Sequence, residues 1–180
     1  TSVTFTWTVL AALTGVSPGP QSGVKDAAIT TLLVNSTGGE VPYTWSDPSN
    51  TLPAGLTLST VNNQARITGT PTTVKQYNPV TLTVTDSKNR TSTVTFTWTI
   101  DYPPFAATNP GAQTSTLNTA DTVTLGAPGG SGPFAWTSPA PPPAGLTPTA
   151  GGIPPGAPTP PGTPPGTFPA TDTKATTQEP

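Results

Sequence analysis

The chain has 180 residues, a formal net charge of −2 and only 8% charged residues, against roughly 25% in an average soluble protein. Histidine, cysteine and methionine are absent, which removes the usual nucleophile–base pairs, the soft metal ligands and any disulfide framework. The basic residues Lys25, Arg66, Lys75, Lys88, Arg90 and Lys174 stand singly, so no stripe exists to neutralise phosphates and nucleic acid is not expected as a partner. No apolar run approaches the ~20 residues of a membrane-spanning helix. Low charge, abundant threonine and no cysteine suit a bacterial or viral exterior better than a cytosolic enzyme.

In chain order, the first predicted element is Ser2–Val9 (SVTFTWTV), where Val3, Phe5, Trp7 and Val9 alternate with threonine. This two-residue period marks a strand with one apolar face. Ala28–Asn35 reads as another strand, Thr37-Gly38-Gly39 as a turn, and Val41–Ser46 as a short strand carrying Tyr43 and Trp45. LPAGLTLS follows at Leu52–Ser59, then a short strand Ala65–Thr68, punctuated by Gly69-Thr70-Pro71. In Val80–Thr85, Val80, Leu82 and Val84 point one way and Thr81, Thr83 and Thr85 point to solvent. Asp86-Ser87-Lys88-Asn89-Arg90 supplies turn chemistry, and Val94, Phe96, Trp98 and Ile100 resume the alternation. Short strands separated by Gly/Pro turns, with no useful helical period, predict an all-β sandwich or barrel.

The last of these strands repeats the first. TVTFTWTI at Thr93–Ile100 returns SVTFTWTV at an offset of 91 residues, a spacing that means tandem modules rather than neighbouring strands. Further landmarks repeat in the same order: NPGAQTS at Asn109–Ser115 answers SPGPQSG at Ser17–Gly23, and GGSGPFAW at Gly129–Trp136 answers GGEVPYTW at Gly38–Trp45. PAGLT at Pro143–Thr147 answers Pro53–Thr57, and TDTK at Thr171–Lys174 answers TDSK at Thr85–Lys88. The expected organisation is residues 1–9 as the final strand of a preceding module or a donor strand, 10–100 as a first module, and 101–180 as a degenerate second one. Within the second, Pro139–Pro169 holds 13 prolines, which remove ladder donors. Polyproline-II or irregular loop is therefore expected across this part of the Pro/Thr-rich segment 139–180. Its composition is also that of O-glycosylated stalks.

The ordered set PYTWS, LPAGLTLS, ITGTPT, VTLTVTDS and TFTWTI resembles the immunoglobulin-like tandem repeat of bacterial surface proteins, a family related to the cadherin-like domain of dystroglycan. The strongest matches are Leu52-Pro53-Ala54-Gly55-Leu56, Gly69-Thr70-Pro71 and Val84-Thr85-Asp86. The resemblance covers Val16–Ile100 well and Ala106–Lys174 weakly, since the second copy departs where ITGTP and VTLTVTDS should stand. It implies Ig-like β-sandwiches strung in series in large secreted or wall-attached proteins, serving adhesion, spacing or display. Some relatives accompany polysaccharide-degrading enzymes, and some cadherin-like members bind calcium.

Candidate residues divide into core, junction and metal readings. Trp45 and Trp136, beside Tyr43 and Phe134, offer either a sugar-stacking platform or core aromatics, and the core reading is favoured because one Trp fills much of a small sandwich. Leu82, Val84, Phe96 and Trp98 are expected in the same core. Val3, Phe5, Trp7 and Val9 are the candidates for a module junction or for strand exchange with another chain. Calcium needs six to eight oxygens, whereas Asp86, Asp101, Asp121 and Asp172 stand alone. Asp86 suits a turn, and Asp101, just past a strand end, is the one weak calcium candidate. No cofactor is otherwise expected. Asn35-Ser36-Thr37 and Asn89-Arg90-Thr91 match glycosylation sequons formally.

With no histidine beside the many hydroxyls and no paired carboxylates at recurrent spacing, catalysis is not expected. The expected role is a non-catalytic extracellular segment whose partners are neighbouring modules or copies of itself, joined through short connectors Leu10–Gly15 and Asp101–Ala107. A filament or virion fibre subunit built by strand exchange, and a carbohydrate-binding accessory module facing surface polysaccharide, are the alternatives.

Overall fold

The alternation of threonine with large apolar residues governs the structure, a computed structural model that describes residues 1–123, 125–136, 153–156 and 170–172. The chain divides into two units, Thr1–Asp101 and Tyr102–Pro180, and every regular element among the described residues is a strand. Unit 1 contains β1 (Thr14–Gly15), β2 (Gln21–Val24), β3 (Leu32–Val34), β4 (Ser36–Thr37), β5 (Thr44–Ser46), β6 (Leu56–Val61), β7 (Gln64–Gly69), β8 (Lys75–Thr85) and β9 (Thr91–Asp101). Unit 2 contains β10 (Asp121–Val123), β11 (Phe134–Trp136), β12 (Ile153–Gly156) and β13 (Ala170–Asp172).

Unit 1 is a two-sheet sandwich. One sheet runs β2-β9-β8-β5 and the other β3-β7-β6, while β1 and β4 form a separate pair. Both sheets place their apolar positions into one core of Val34, Trp45, Ala65, Ile67, Val80, Leu82, Val84, Val94, Phe96, Trp98 and Ile100. Each fully buried Leu, Ile or Phe of this kind contributes roughly 1.5–3 kcal/mol. The β8–β9 hairpin is its spine, with Val80 opposite Phe96 and Leu82 opposite Val94. The register slips by one residue between Tyr77 and Val80, where Pro79 has no N–H to give the ladder. Asn62 and Asn63, at φ 50 and 66, turn β6 into β7 with Val61 opposite Gln64. Two left-handed residues in a two-residue loop make the turn whose twist matches antiparallel strands, and asparagine tolerates that backbone.

Closure of the first sheet comes from β2, which lies parallel to β9 with Gln21 opposite Trp98 and Val24 opposite Asp101. The ladder is extended by Lys25 N–H donating to the Asp101 carbonyl at 2.8 Å.

Unit 2 repeats parts of this plan. β11 pairs with β13 so that Trp136 faces Ala170, as Trp45 faces Val84. β10 pairs with β12, Val123 opposite Ile153, as Leu32 of β3 lies opposite Ile67 of β7. Thr108 N–H donates to the Gly126 carbonyl at 2.7 Å, the counterpart of Val16 N–H to Asn35 at 2.8 Å.

Several expectations need correction. Of Ala28–Asn35 only Leu32–Val34 is a ladder strand; Ile29 N–H donates instead to the Gly69 carbonyl at 3.0 Å. Of Val41–Ser46 only Thr44–Ser46 pairs, since Pro42 lacks a donor and Tyr43 N–H goes to Asn63 Oδ1 at 2.9 Å. Leu10–Gly15 is not wholly a connector, because Thr14 and Gly15 pair with Thr37 and Ser36. Irregular chain was expected throughout Pro139–Pro169, yet Ile153–Gly156 is a strand; Gly156 opposite Asp121 and Ile153 opposite Val123 carry the pairing around the two prolines. The repeat at Pro143–Thr147, residues 173 and 174 of the last landmark, and most of the Pro/Thr-rich stretch lie outside the described residues.

Candidate functional site

Two features of the described residues stand apart from ordinary core packing: a buried carboxylate that recurs in both units, and an exposed apolar segment. The carboxylate of unit 1 is Asp86, at the end of β8, with its side chain fully buried. Its Oδ1 accepts N–H donors from Lys88 at 2.9 Å and Arg90 at 3.0 Å. Its Oδ2 accepts from Glu40 N–H at 3.1 Å and Arg90 Nε at 2.8 Å, and Arg90 Nη2 lies 2.7 Å away. Burial alone would raise this carboxyl, but the hydrogen bonds from Arg90, Lys88 and Glu40 outweigh it and hold it down at about 2, below its ordinary 3.8.

Glycine makes the approach possible. Gly38 and Gly39 both sit at φ +67, a left-handed backbone that a side chain disfavours, and a Cβ on Gly38 would collide with the Ala12 carbonyl oxygen. Gly39 N–H donates to the Ala11 carbonyl at 2.8 Å. The double-glycine turn is thus held on one side by the aspartate and on the other by the segment leading into the unit. Tyr43 adds a hydroxyl donated to the Gly38 carbonyl.

Unit 2 rebuilds this clamp. Asp172, at the end of β13, accepts Ser131 N–H at 2.6 Å and the Ser131 hydroxyl at 3.1 Å. Gly129 and Gly130 are again left-handed, at φ 81 and 64, and Gly130 N–H donates to the Pro103 carbonyl at 2.7 Å. Turn chemistry was the expectation at Asp86. The structure adds a bridge across 46 residues of sequence to Glu40; the paired recurrence of Gly-Gly and Thr-Asp marks its two ends without showing that they meet.

The apolar segment is Thr1–Leu10, which joins no strand ladder. Val3, Phe5, Trp7 and Val9 are 90%, 79%, 78% and 83% exposed, whereas their counterparts Val94, Phe96, Trp98 and Ile100 are buried. Phe5 and Trp7 touch edge to face, with ring centroids 6.5 Å apart.

The candidate aromatics Trp45 and Trp136 belong to cores. Trp45 is buried in unit 1, its N-H on Nε1 donated to the Asn63 carbonyl at 3.2 Å, with Tyr43 half-buried beside it. Trp136 is buried against Leu125, Ala127 and Ala170, and half-buried Phe134 packs on Phe105 at 5.1 Å. Trp7, by contrast, is exposed. Leu82 and Val84 are fully buried. Asp101, at the end of β9, is exposed and gives its backbone carbonyl to Lys25.

A hollow of about 270 Å³ beside Trp98, lined by Gln21–Val24, Ala27–Thr30 and Leu32, contains no titratable side chain. In a second, Asp47 is engaged by Thr51 and by Leu52 N–H at 2.9 Å. Among the described residues no three His, Cys, Asp or Glu side chains gather to hold a metal, and no helix is long and apolar enough to cross a membrane.

No protein in the curated set matches the chain. Among solved structures, an I-band fragment of titin is similar at 11% identity, over 82% of this chain and 56% of that fragment, with a TM-score of 0.38. The N-terminal eight Ig domains of Down Syndrome Cell Adhesion Molecule are similar at 15% identity, over 89% of this chain and 27% of that one, with a TM-score of 0.37. The chain thus spans little more than half of the first and about a quarter of the second. The family model described as "Putative Ig domain" matches residues 11–101, half of the chain, and to that immunoglobulin-like family the chain belongs.

Proposed function

We propose that this chain is a non-catalytic structural or adhesive segment of an extracellular surface protein, its Ig-like units acting as spacer or display modules. The observation that carries this reading is the repeated clamp. In each unit a buried aspartate and a left-handed Gly-Gly turn fix the leading segment, through Ala11 in one and Pro103 in the other. A module in series needs its junctions fixed to its body, because a frayed leading strand would make the array limp. Partners under this reading are neighbouring modules. The hydroxyl-rich faces of β8 and β9, Thr81, Thr83, Thr95 and Thr97 among them, keep the sheets soluble with few charges.

The test is surface labelling. Antibodies raised against unit 1 should label intact, unpermeabilised producing cells as strongly as lysed ones. Labelling confined to lysed cells would overturn the reading.

A further inference from the structure

We propose that unit 1 holds a binding site for a neutral acyl group, an amide or ester carbonyl on a short apolar body. The site is the hollow between β2 and β3, and the indole N–H of Trp98 is the donor that recognises the carbonyl oxygen. This inference goes beyond the spacer reading and stands or falls separately from it. Its starting point is an unpaired donor. Trp98 is 1% exposed, and among the described residues its Nε1 has no hydrogen-bond partner. A buried donor left unpaired costs free energy, whereas the other core indole of unit 1, Trp45, gives its N–H to the Asn63 carbonyl.

The sequence leaves room beside this donor. Gly23 of β2 has no side chain, and a Cβ there would stand 3.6 Å from Trp98 Nε1, 3.0 Å from Ile100 Cδ1 and 3.4 Å from Ile29 Cγ2. Gly23, Ile29 and Trp98 all line the hollow of about 270 Å³, and its rim residues Ser22, Ala27, Ala28 and Thr30 are exposed. One water takes about 30 Å³ in the liquid, so the space exceeds what a single bridging water needs. Main-chain bonds hold the walls: Lys25 N–H donates to Asp101 at 2.8 Å, Asp26 N–H to Pro71 at 2.8 Å and Ile29 N–H to Gly69 at 3.0 Å. Gln21, the amide side chain of the lining, is braced by its own loop, with Nε2 donating to the carbonyls of Pro18 and Gly19 at 3.2 Å. Gln113 makes the same brace in unit 2, to Pro110 at 2.9 Å. A hollow already formed spares the ordering cost of binding.

The lining sets the chemistry of the ligand. No titratable side chain lines the hollow, so an ion would lose hydration without gaining a countercharge. The indole N–H donates and cannot accept. A carbonyl oxygen accepts and brings no hydrogen of its own to satisfy. A hydroxyl would carry its donor down among the side chains of Val24, Ile29 and Leu32. A few alkyl carbons beside the carbonyl cover those same side chains.

Indole N–H resonances provide the test. The full chain has 4 tryptophans, so an isotope-labelled sample gives one indole signal for each, and Trp98→Phe identifies that of Trp98. Titration with N-butylacetamide, or in a second arm with butyl acetate, should move the Trp98 signal downfield saturably and leave the others in place. A response in either arm supports the site, and the stronger one tells amide from ester. Butanol, butyrate and butylammonium should bind several-fold more weakly. Gly23→Ala puts a methyl beside the indole N–H and should weaken binding several-fold. Unit 1 should still unfold at nearly the same temperature, because the tip of Ile100 can shift. A Trp98 signal that stays fixed, that responds equally to butanol or butyrate, or that responds equally in Gly23→Ala would overturn the proposal. So would an indole N–H in contact with an ordered water only. None of these outcomes touches the spacer reading.

Discussion

Unit 1 and unit 2 share a plan, and among the described residues they differ in the strands and core that carry it. Unit 1 has two strands of eleven residues, β8 and β9, and a core of eleven buried side chains. The described strands of unit 2 run three or four residues, and among its described residues the buried apolar cluster is Leu125 and Trp136. What both keep is the polar apparatus: the aspartate clamp, the left-handed Gly-Gly turn and the glutamine-braced loop. Hydrophobic surface tolerates exchange as long as volume and patterning survive. A buried carboxylate and its donors do not, because removing one partner leaves a charge or a donor unpaired in the interior. The polar contacts are thus the slowest part of the plan to drift.

This contrast can be broken most forcefully in the cores. Trp98→Ala should destabilise unit 1 by about 3–5 kcal/mol, because Trp98 is 1% exposed in the middle of the core. Trp136→Ala should cost unit 2 less, since Trp136 keeps 9% exposure against 1% for Trp98. Urea titrations followed by the remaining tryptophans would check both, and equal losses would show that unit 2 has a core like that of unit 1.

Acid sharpens the comparison at smaller amplitude. Asp86 titrates near 2 in the folded chain against an ordinary 3.8. A carboxyl depressed by folding contributes stability that is full above its unfolded value and is lost as pH falls through the folded one. Unit 1 should therefore weaken between about pH 4 and pH 2 in circular dichroism titrations. Asp86→Asn should start less stable and lose that part of the slope; an unchanged acid profile would remove Asp86 from the account.

The sequence exposed the architecture where side chains alternate over many residues. Val80–Thr85 and Thr93–Ile100 announce a two-sided hairpin, and the recurrence of TFTWT announces modules. It was silent on contacts that no period encodes. The bond from Asp86 to Glu40 joins residues far apart in sequence through a main-chain donor, which no side-chain pattern reveals. The shortened strands β3 and β5 lost residues to local competitors, Gly69 for Ile29 and Asn63 for Tyr43, that become visible only when the sheets meet. Ile153–Gly156 was misjudged because proline content says where donors are missing, not whether the remaining groups find partners.

The central claim is that each unit is a separate sandwich latched by its own aspartate. Differential scanning calorimetry of the full chain and of its Asp86→Asn and Asp172→Asn variants tests it most directly. The account predicts two transitions, the upper one from unit 1, with Asp86→Asn lowering the upper alone and Asp172→Asn the lower alone. A single transition, or either substitution moving both, would contradict it.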